Sequence, residues 1–306
     1  MADSVFVLSY FVGNGESGTY LATSEDGWRF TPLCTPNLPI IRPNVGKDKL
    51  MRDPCLTQGP DGLWHLVWTS GWWDKHIGYA TSPDLIHWSA QRALPVMEHE
   101  PTALNAWAPE LVYEPRHRRF VLYWSTTIPG RYPETESAEK GDTNSAGKVL
   151  NHRFYYVEST DNGKSWSPTK LLWDPGFNCI DATIVPDGRS WLLIGKDETK
   201  APTAHKWLFV ARGKSASGPF EPIAPRITGN YWAEGPTAYK VGKTWRVLFD
   251  RYQDGRWGAV ESEDGIHWRE ASEKLTMVTG ARHGFVTKVG RDLVEAVRKA
   301  LLEGKA

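Results

Sequence analysis

At 306 residues the chain has room for two domains or for one large repetitive one. Its 36 Lys and Arg balance 36 Asp and Glu, so there is no net field to gather nucleic acid or anionic lipid. Hydrophobic residues make up 40% of the chain but fall in strand-sized runs, far short of the ~20 residues that a membrane span needs.

Met1 to Phe11 carries no basic leader, long apolar stretch or small-residue cleavage site. This reads as a cytoplasmic protein, or as a secreted or periplasmic one whose signal peptide has been removed. From Ser4 onward, short apolar or period-two runs bounded by Gly, Pro, Asp or Asn follow one another. Almost nothing repeats at helical spacing before Leu293, so the pattern predicts an all-β fold. The 16 Trp and 11 Tyr suit indole-rich packing or sugar-stacking surfaces. Cys34, Cys55 and Cys179 are odd in number and widely spaced, which excludes a disulfide framework or zinc knuckle and predicts reduced, buried thiols.

A phrase of strand, Ser, acidic turn and aromatic recurs along the chain. It reads Tyr20-Leu-Ala-Thr-Ser-Glu-Asp-Gly-Trp28, Tyr79-Ala-Thr-Ser-Pro-Asp-Leu-Ile-His-Trp88, Tyr156-Val-Glu-Ser-Thr-Asp-Asn-Gly-Lys-Ser-Trp166 and Ala259-Val-Glu-Ser-Glu-Asp-Gly-Ile-His-Trp268, with a degenerate copy from Phe209 to Phe220. Each is a hairpin whose acidic residue makes the turn and whose aromatic packs between neighbouring sheets. Two more strands precede each hairpin, as in Cys55 to Gln58 and Trp64 to Thr69. Four strands in each of five units spell a five-bladed β-propeller over residues 1–290. The first unit lacks its inner strand, and His283 to Val289 supplies it, closing the ring against the N-terminal blade. The polar segment from Glu134 to Lys148 reads as a mobile loop. Beyond it, Leu293, Val297 and Leu301 predict an amphipathic helix in a 291–306 tail, packed on the propeller or on another subunit.

In a propeller, the residue that opens each innermost strand reaches the axis. The openings Arg52-Asp53-Pro54, Trp107-Ala-Pro-Glu110, Ile180-Asp181-Ala182, Glu234-Gly-Pro236 and Arg282-His283-Gly284 bring Asp53, Glu110, Asp181, Glu234 and His283 to one centre. Four carboxylates and a histidine there disfavour each other's ionisation and raise some of their pKa values. Paired carboxyls beside Trp residues are what acid-catalysed glycosidic cleavage needs, one protonated and one ionised. The loops between second and third strands emerge at the same mouth, among them the long segment from Thr127 to Arg153 and that from Lys196 to His205. There Trp72, Trp73, Trp107 and Trp232 are candidates to stack on sugar faces. Arg251 and Arg282 are candidates to orient hydroxyls or hold a carboxylate ionised.

In these motifs the chain resembles glycoside hydrolase family 43, a group of five-bladed propellers, from Phe6 to Val289. The resemblance implies that Asp53 is the catalytic base, Asp181 the carboxylate that tunes the acid, and Glu234 the general acid. Trp107-Ala108-Pro109 is similar to the segment that walls the sugar subsite. Arg282-His283-Gly284 is similar to the one placing a central histidine, often near calcium and its waters; calcium at the axis by His283 is thus an implied rather than a required cofactor. The family inverts the anomeric carbon, so the Asp53 and Glu234 carboxyls are expected ~6.5 to 9.5 Å apart. Glu110 is a fourth axial carboxylate without an assigned role, a candidate to contact substrate and the first substitute if Asp53 proves inert. The implied activity is exo-attack on terminal sugars of plant-type oligo- or polysaccharides, first as an α-L-arabinofuranosidase, then as a β-xylosidase or a galactose- or galactofuranose-releasing enzyme. Outside enzymology, a carbohydrate-binding propeller is the rival. The expected partner is an oligosaccharide or polysaccharide, with no nucleic acid and no membrane, and the expected state a monomer or small homo-oligomer.

Overall fold

Each recurring phrase folds as a hairpin because its acidic side chain caps the turn. Ser24 Oγ donates to Asp26 Oδ1 at 3.1 Å, and the same oxygen accepts the amides of Trp28 and Arg29 at 2.7 and 2.9 Å. Asp84 and Asp264 repeat this arrangement with Ser82 and Ser262, and Asp161 binds Ser159 and the Ser165 amide. Such local bonds replace a backbone turn wherever they recur, which is why the repeat survives in the sequence.

The computed structural model describes residues 3–136 and 149–305. Among these, twenty strands make five four-stranded antiparallel sheets. The first blade holds β1 (Ser4–Phe11), β2 (Tyr20–Ser24) and β3 (Thr31–Pro32), and the second β4 (Arg52–Gln58), β5 (Trp64–Thr69), β6 (Ile77–Ser82) and β7 (Arg92–Leu94). The third holds β8 (Trp107–Glu114), β9 (Arg119–Thr127), β10 (His152–Ser159) and β11 (Lys170–Trp173), with a short α1 (Pro133–Glu136) after β9. The fourth holds β12 (Cys179–Asp187), β13 (Ser190–Asp197), β14 (Trp207–Gly213) and β15 (Phe220–Ala224). The fifth holds β16 (Glu234–Val241), β17 (Thr244–Arg251), β18 (Arg256–Ser262) and β19 (Arg269–Glu270).

Then β20 (Arg282–Gly290) pairs with β1 as the inner strand of the first blade, Ser4 facing Gly290 and Ser9 facing Phe285. Inner strands touch in the order β20, β4, β8, β12, β16 and β20 again, so the five blades close a ring. The fold is the five-bladed propeller that the repeat predicts.

A separate apolar core fills each gap between neighbouring blades. The phrase aromatics Trp28, Trp88, Trp166 and Trp268 pack against these cores, and Phe220 lies within one. Helix α2 (Arg291–Leu302) buries Val294, Val297, Ala300 and Leu301. Val294, Val297 and Leu301 join the core between the first two blades, so the helix packs on the propeller itself. The three cysteines are free and buried. Of the loop expected over 134–148, residues 137–148 lie outside the described residues, while residues 134–136 belong to α1. No helix among the described residues is long and apolar enough to cross a membrane.

Candidate active site

Every inner strand begins with a β-bulge. Pairing slips between Arg52 and Cys55, Trp107 and Glu110, Ile180 and Thr183, and Glu234 and Thr237, and likewise where β20 meets β1. The two residues left unpaired in each blade are Asp53-Pro54, Ala108-Pro109, Asp181-Ala182, Gly235-Pro236 and His283-Gly284. Left-handed backbone at Asp53, Ala108, Asp181 and Gly235 (φ 50°, 48°, 54° and 57°) turns the strand mouth toward the axis. Hydroxyls of the second strands hold the neighbouring bulges. Thr69 Oγ1 donates to Asp53 Oδ2 at 2.7 Å and accepts the Ala108 amide at 2.8 Å, while Ser125 Oγ accepts the Asp181 amide at 3.2 Å. Gly235 is required by contact as well as conformation, since a Cβ there would stand 2.4 Å from His283 Cγ.

This register corrects the alignment of the five axial residues. Asp53, Asp181 and His283 share the first bulge position. Glu234 comes one residue earlier, level with Arg52 and Arg282, and Glu110 comes two residues later, inside the strand. Glu110 is 4% exposed and accepts a 2.7 Å bond from Tyr123 Oη. Burial drives its carboxyl up to about 8 against the Tyr123 bond. A buried, protonated and already bonded carboxyl is placed neither to contact a sugar nor to replace Asp53 as base.

The other groups form one charged cluster. His283 Nδ1 stands 3.3 Å from Asp53 Oδ1 and 3.9 Å from Asp181 Oδ2. Burial opposes charge on all three. At Asp53 the charge and bond of His283, with Arg52 and Thr69, outweigh burial and hold the carboxyl at about 2. At His283 the two aspartates likewise overcome burial and lift the imidazole to about 9. At Asp181 burial wins over His283, the Glu234 charge adds to it, and the carboxyl reaches about 7. Asp181 Oδ2 also accepts the Gly235 amide at 3.0 Å, which ties it to the strand end that carries Glu234. Glu234 itself meets two cations, Lys196 Nζ at 3.1 Å on Oε2 and Arg282 Nη2 at 3.6 Å on Oε1.

Lys196 is 1% exposed at its side chain, a strand residue of β13 rather than the loop residue that the sequence suggests. It pairs with Glu198 at 2.6 Å and lies 3.4 Å from Tyr252 Oη; Glu198 in turn holds Lys206 at 2.7 Å. Asp250 accepts Arg282 Nε at 2.7 Å. Lys206, Glu198, Tyr252, Asp250 and Thr69 were absent from the sequence-derived site. Only the side chains of β5, β13 and β17 reaching the mouth, or flanking it, would have signalled them.

Trp72, Trp73 and Trp107 line one cavity of about 760 Å³ with Asn14, Glu16 and Asp48. Trp107 Nε1 donates to the Trp72 carbonyl at 2.8 Å, and Trp72 Nε1 to Asn14 at 3.0 Å. The Arg52 guanidinium lies 4.3 Å from the Trp72 ring centre, linking this wall to the strand end that carries Asp53. Trp232 stands apart, 5.9 Å from the Tyr252 ring. Arg251 pairs with Asp254 in its own loop and covers the Tyr231 ring at 3.8 Å. Arg153, at the end of the long third-blade loop, is a buried structural residue bonded to Asp174 and Asn151.

Calcium takes roughly six to eight oxygen donors. Among the described residues no group of three or more His, Cys, Asp and Glu is arranged to hold a metal. His283 Nδ1 faces Asp53 as a donor faces an acceptor. The donor set does not fit a protein-ligated calcium ion, and no step below passes through a metal.

A family model described as "Probable glycosyl hydrolase domain" matches residues 3–295. The curated "Probable arabinan endo-1,5-alpha-L-arabinosidase C" of Aspergillus terreus (strain NIH 2624 / FGSC A1156) is 23% identical over 206 residues. That match takes in 65% of this chain and 57% of the relative, so the chain spans little more than half of the relative's length. Among solved structures, a thermostable family-43 glycoside hydrolase superposes with a TM-score of 0.57 at 17% identity, over 78% of this chain and 80% of its own. The α-L-arabinofuranosidase from Lactobacillus brevis gives 0.55 at 14% identity, over 72% of each chain. At such identities the structural likeness establishes the propeller fold.

Proposed function

The chain belongs to the family of glycosyl hydrolase domains related to family 43, and from that membership we propose that it hydrolyses glycosidic bonds with inversion. Its substrates on this reading are terminal sugars of plant-type oligo- or polysaccharides, α-L-arabinofuranosides first. The arabinan-directed name of the curated relative and the arabinofuranosidase among the structural neighbours support the choice of sugar. The observation that carries the reaction type is the convergence of Asp53, Asp181 and Glu234 at the strand mouths, with His283 Nδ1 3.3 Å from Asp53 and the Gly235 N–H tying Asp181 to the Glu234 strand end; His283 lowers Asp53 while burial raises Asp181.

At neutral pH, Asp53 is ionised and takes a proton from water as that water's oxygen bonds to the anomeric carbon. The bond from that carbon to the leaving oxygen breaks on the opposite face, and Glu234 gives the leaving oxygen its proton. Asp181, raised by its burial, is tied by the Gly235 N–H to the strand end that carries Glu234. His283 keeps Asp53 charged and oriented. After turnover Asp53 returns its proton to solvent and Glu234 regains one.

The test is release of nitrophenol from α-L-arabinofuranoside, β-D-xyloside, β-D-galactoside and β-D-galactofuranoside, with Glu234→Gln alongside. Turnover of one sugar, lowered about 10²- to 10⁴-fold in Glu234→Gln and yielding the inverted anomer by NMR, is expected. An active Glu234→Gln, or a retained anomer, overturns the assignment. Binding of the glycosides without turnover would leave the carbohydrate-binding propeller instead.

A further inference from the structure

The outer wall of the propeller carries a cleft of about 460 Å³ between the second and third blades, lined by β7 and the segment after it on one side and by the β10–β11 hairpin on the other. Its floor is the apolar core of that gap, where Leu94, Val96 and Val157 are buried and Trp166 packs against them. Pro95 and Pro168 stand exposed at its rim. Val157 comes five residues after His152, the mouth end of β10, so the cleft lies roughly 16 Å down the strand from the mouth. It shares no residue with the Trp-walled cavity or with the carboxylate cluster.

Arg92 and His99 line this cleft, and no Asp or Glu does. Arg92 donates to the carbonyls of Gly163 and Lys164 at 3.0 and 3.3 Å and lies 5.4 Å from the Tyr79 ring centre, but among the described residues no carboxylate pairs with it. His99 is exposed and without a partner among them. The acids nearest in sequence are committed elsewhere, Glu98 to His76, Glu100 to Arg131 and Glu158 to Arg119. A sugar suits this lining poorly, because the hydroxyls are already engaged: Ser165 donates to Asp161, Ser167 to the Pro168 carbonyl and Thr169 to the Val96 carbonyl. What remains is an apolar slot with an unpaired cation at its rim, which complements a ligand with a carbon body and one negative charge.

We propose that this cleft binds an aromatic monocarboxylate, its ring against Trp166 between Pro95 and Pro168 and its carboxylate on Arg92. The flat faces of an indole and two prolines favour a ring over a branched chain, and the volume falls in the range of small-molecule pockets. The site is separate from the mouth of the propeller and stands whether or not the hydrolase reading does.

The probe is phenylpropionate, with its uncharged amide, phenylpropionamide, as the control for charge. Binding is read from the indole N–H resonances by heteronuclear NMR, the Trp166 signal being the one that Trp166→Phe removes. A saturable shift of that signal is expected with phenylpropionate at millimolar concentration or below, with binding of the amide about tenfold weaker. Arg92→Met should bring the acid down to the affinity of the amide, and Pro95→Tyr, which fills the cleft from its exposed rim, should weaken both. Both variants are checked for an unchanged melting curve. No shift, equal affinity for acid and amide, or a shift at full strength in both variants overturns the proposal. A Trp166 shift with arabinotriose and none with the acid would make the cleft a sugar site. A dimer in sedimentation that Pro95→Tyr dissociates would give it to a second copy of the chain, and either of these results overturns the proposal as well.

Discussion

Glu234 touches Lys196 and Arg282, and a general acid must hold a proton when the leaving group needs it. The neighbouring Asp181 is raised to about 7. Turnover should therefore follow the proton on Asp181 and need none on Asp53. Asp53 keeps its charge down to about pH 2, so kcat/KM is flat from about pH 4 to 6 and falls above about 7 as Asp181 loses its proton. Lys196 lowers Asp181 by its charge. Replacing it in Lys196→Met removes that pull, raises the pKa of Asp181, and moves the alkaline limb up by roughly one pH unit. Lys196→Arg restores the limb. A Lys196 that only supports the fold would lower activity at every pH and leave the limb in place, so the profile separates the two roles.

The bulge is the element that makes a site out of a repeat, and its strain is unevenly spread among the blades. Gly235 and Ala108 share the same left-handed position, at φ 57° and 48°. Gly235→Ala adds a Cβ at 2.4 Å from His283 Cγ and should cost about 1–3 kcal/mol by urea denaturation, with a large loss of kcat as His283 is pushed off Asp53. Ala108→Gly relieves the same conformation and should stay within about 1 kcal/mol of the parent. Equal effects of the two would remove the bulge from the account of the site. This element also explains what was legible in the sequence. Asp26, Asp84, Asp161 and Asp264 cap turns through bonds two to four residues away, so blade number and ring closure could be read from spacing alone. A bulge depends on the partner strand's register, which spacing does not record. Glu110 therefore appeared level with Asp53 while lying two residues deeper. Lys196 was misjudged for a related reason: where β13 ends decides which side chains meet the axis.

At the scale of the whole molecule, one strand serves both the ring and the site. β20 begins at the mouth with Arg282 and His283, and ends on the opposite face, where Gly290 pairs with Ser4 and Arg291 binds Asp3 and Glu25. α2 follows there, laying Val294, Val297 and Leu301 into the core between the first and second blades. The helix thus latches the closing strand from the far end without touching the carboxylates. Val297 is fully buried in that core, and Val297→Asp would bury an unpaired charge at a cost of about 3 kcal/mol or more. The expected result is a clear drop in the unfolding midpoint, with kcat/KM unchanged at temperatures where the variant remains folded. An unchanged midpoint would show that the ring closes on strand pairing alone. A loss of kcat/KM in the folded variant would show that the latch sets the position of His283, since β20 is the only covalent path from the helix to the axis.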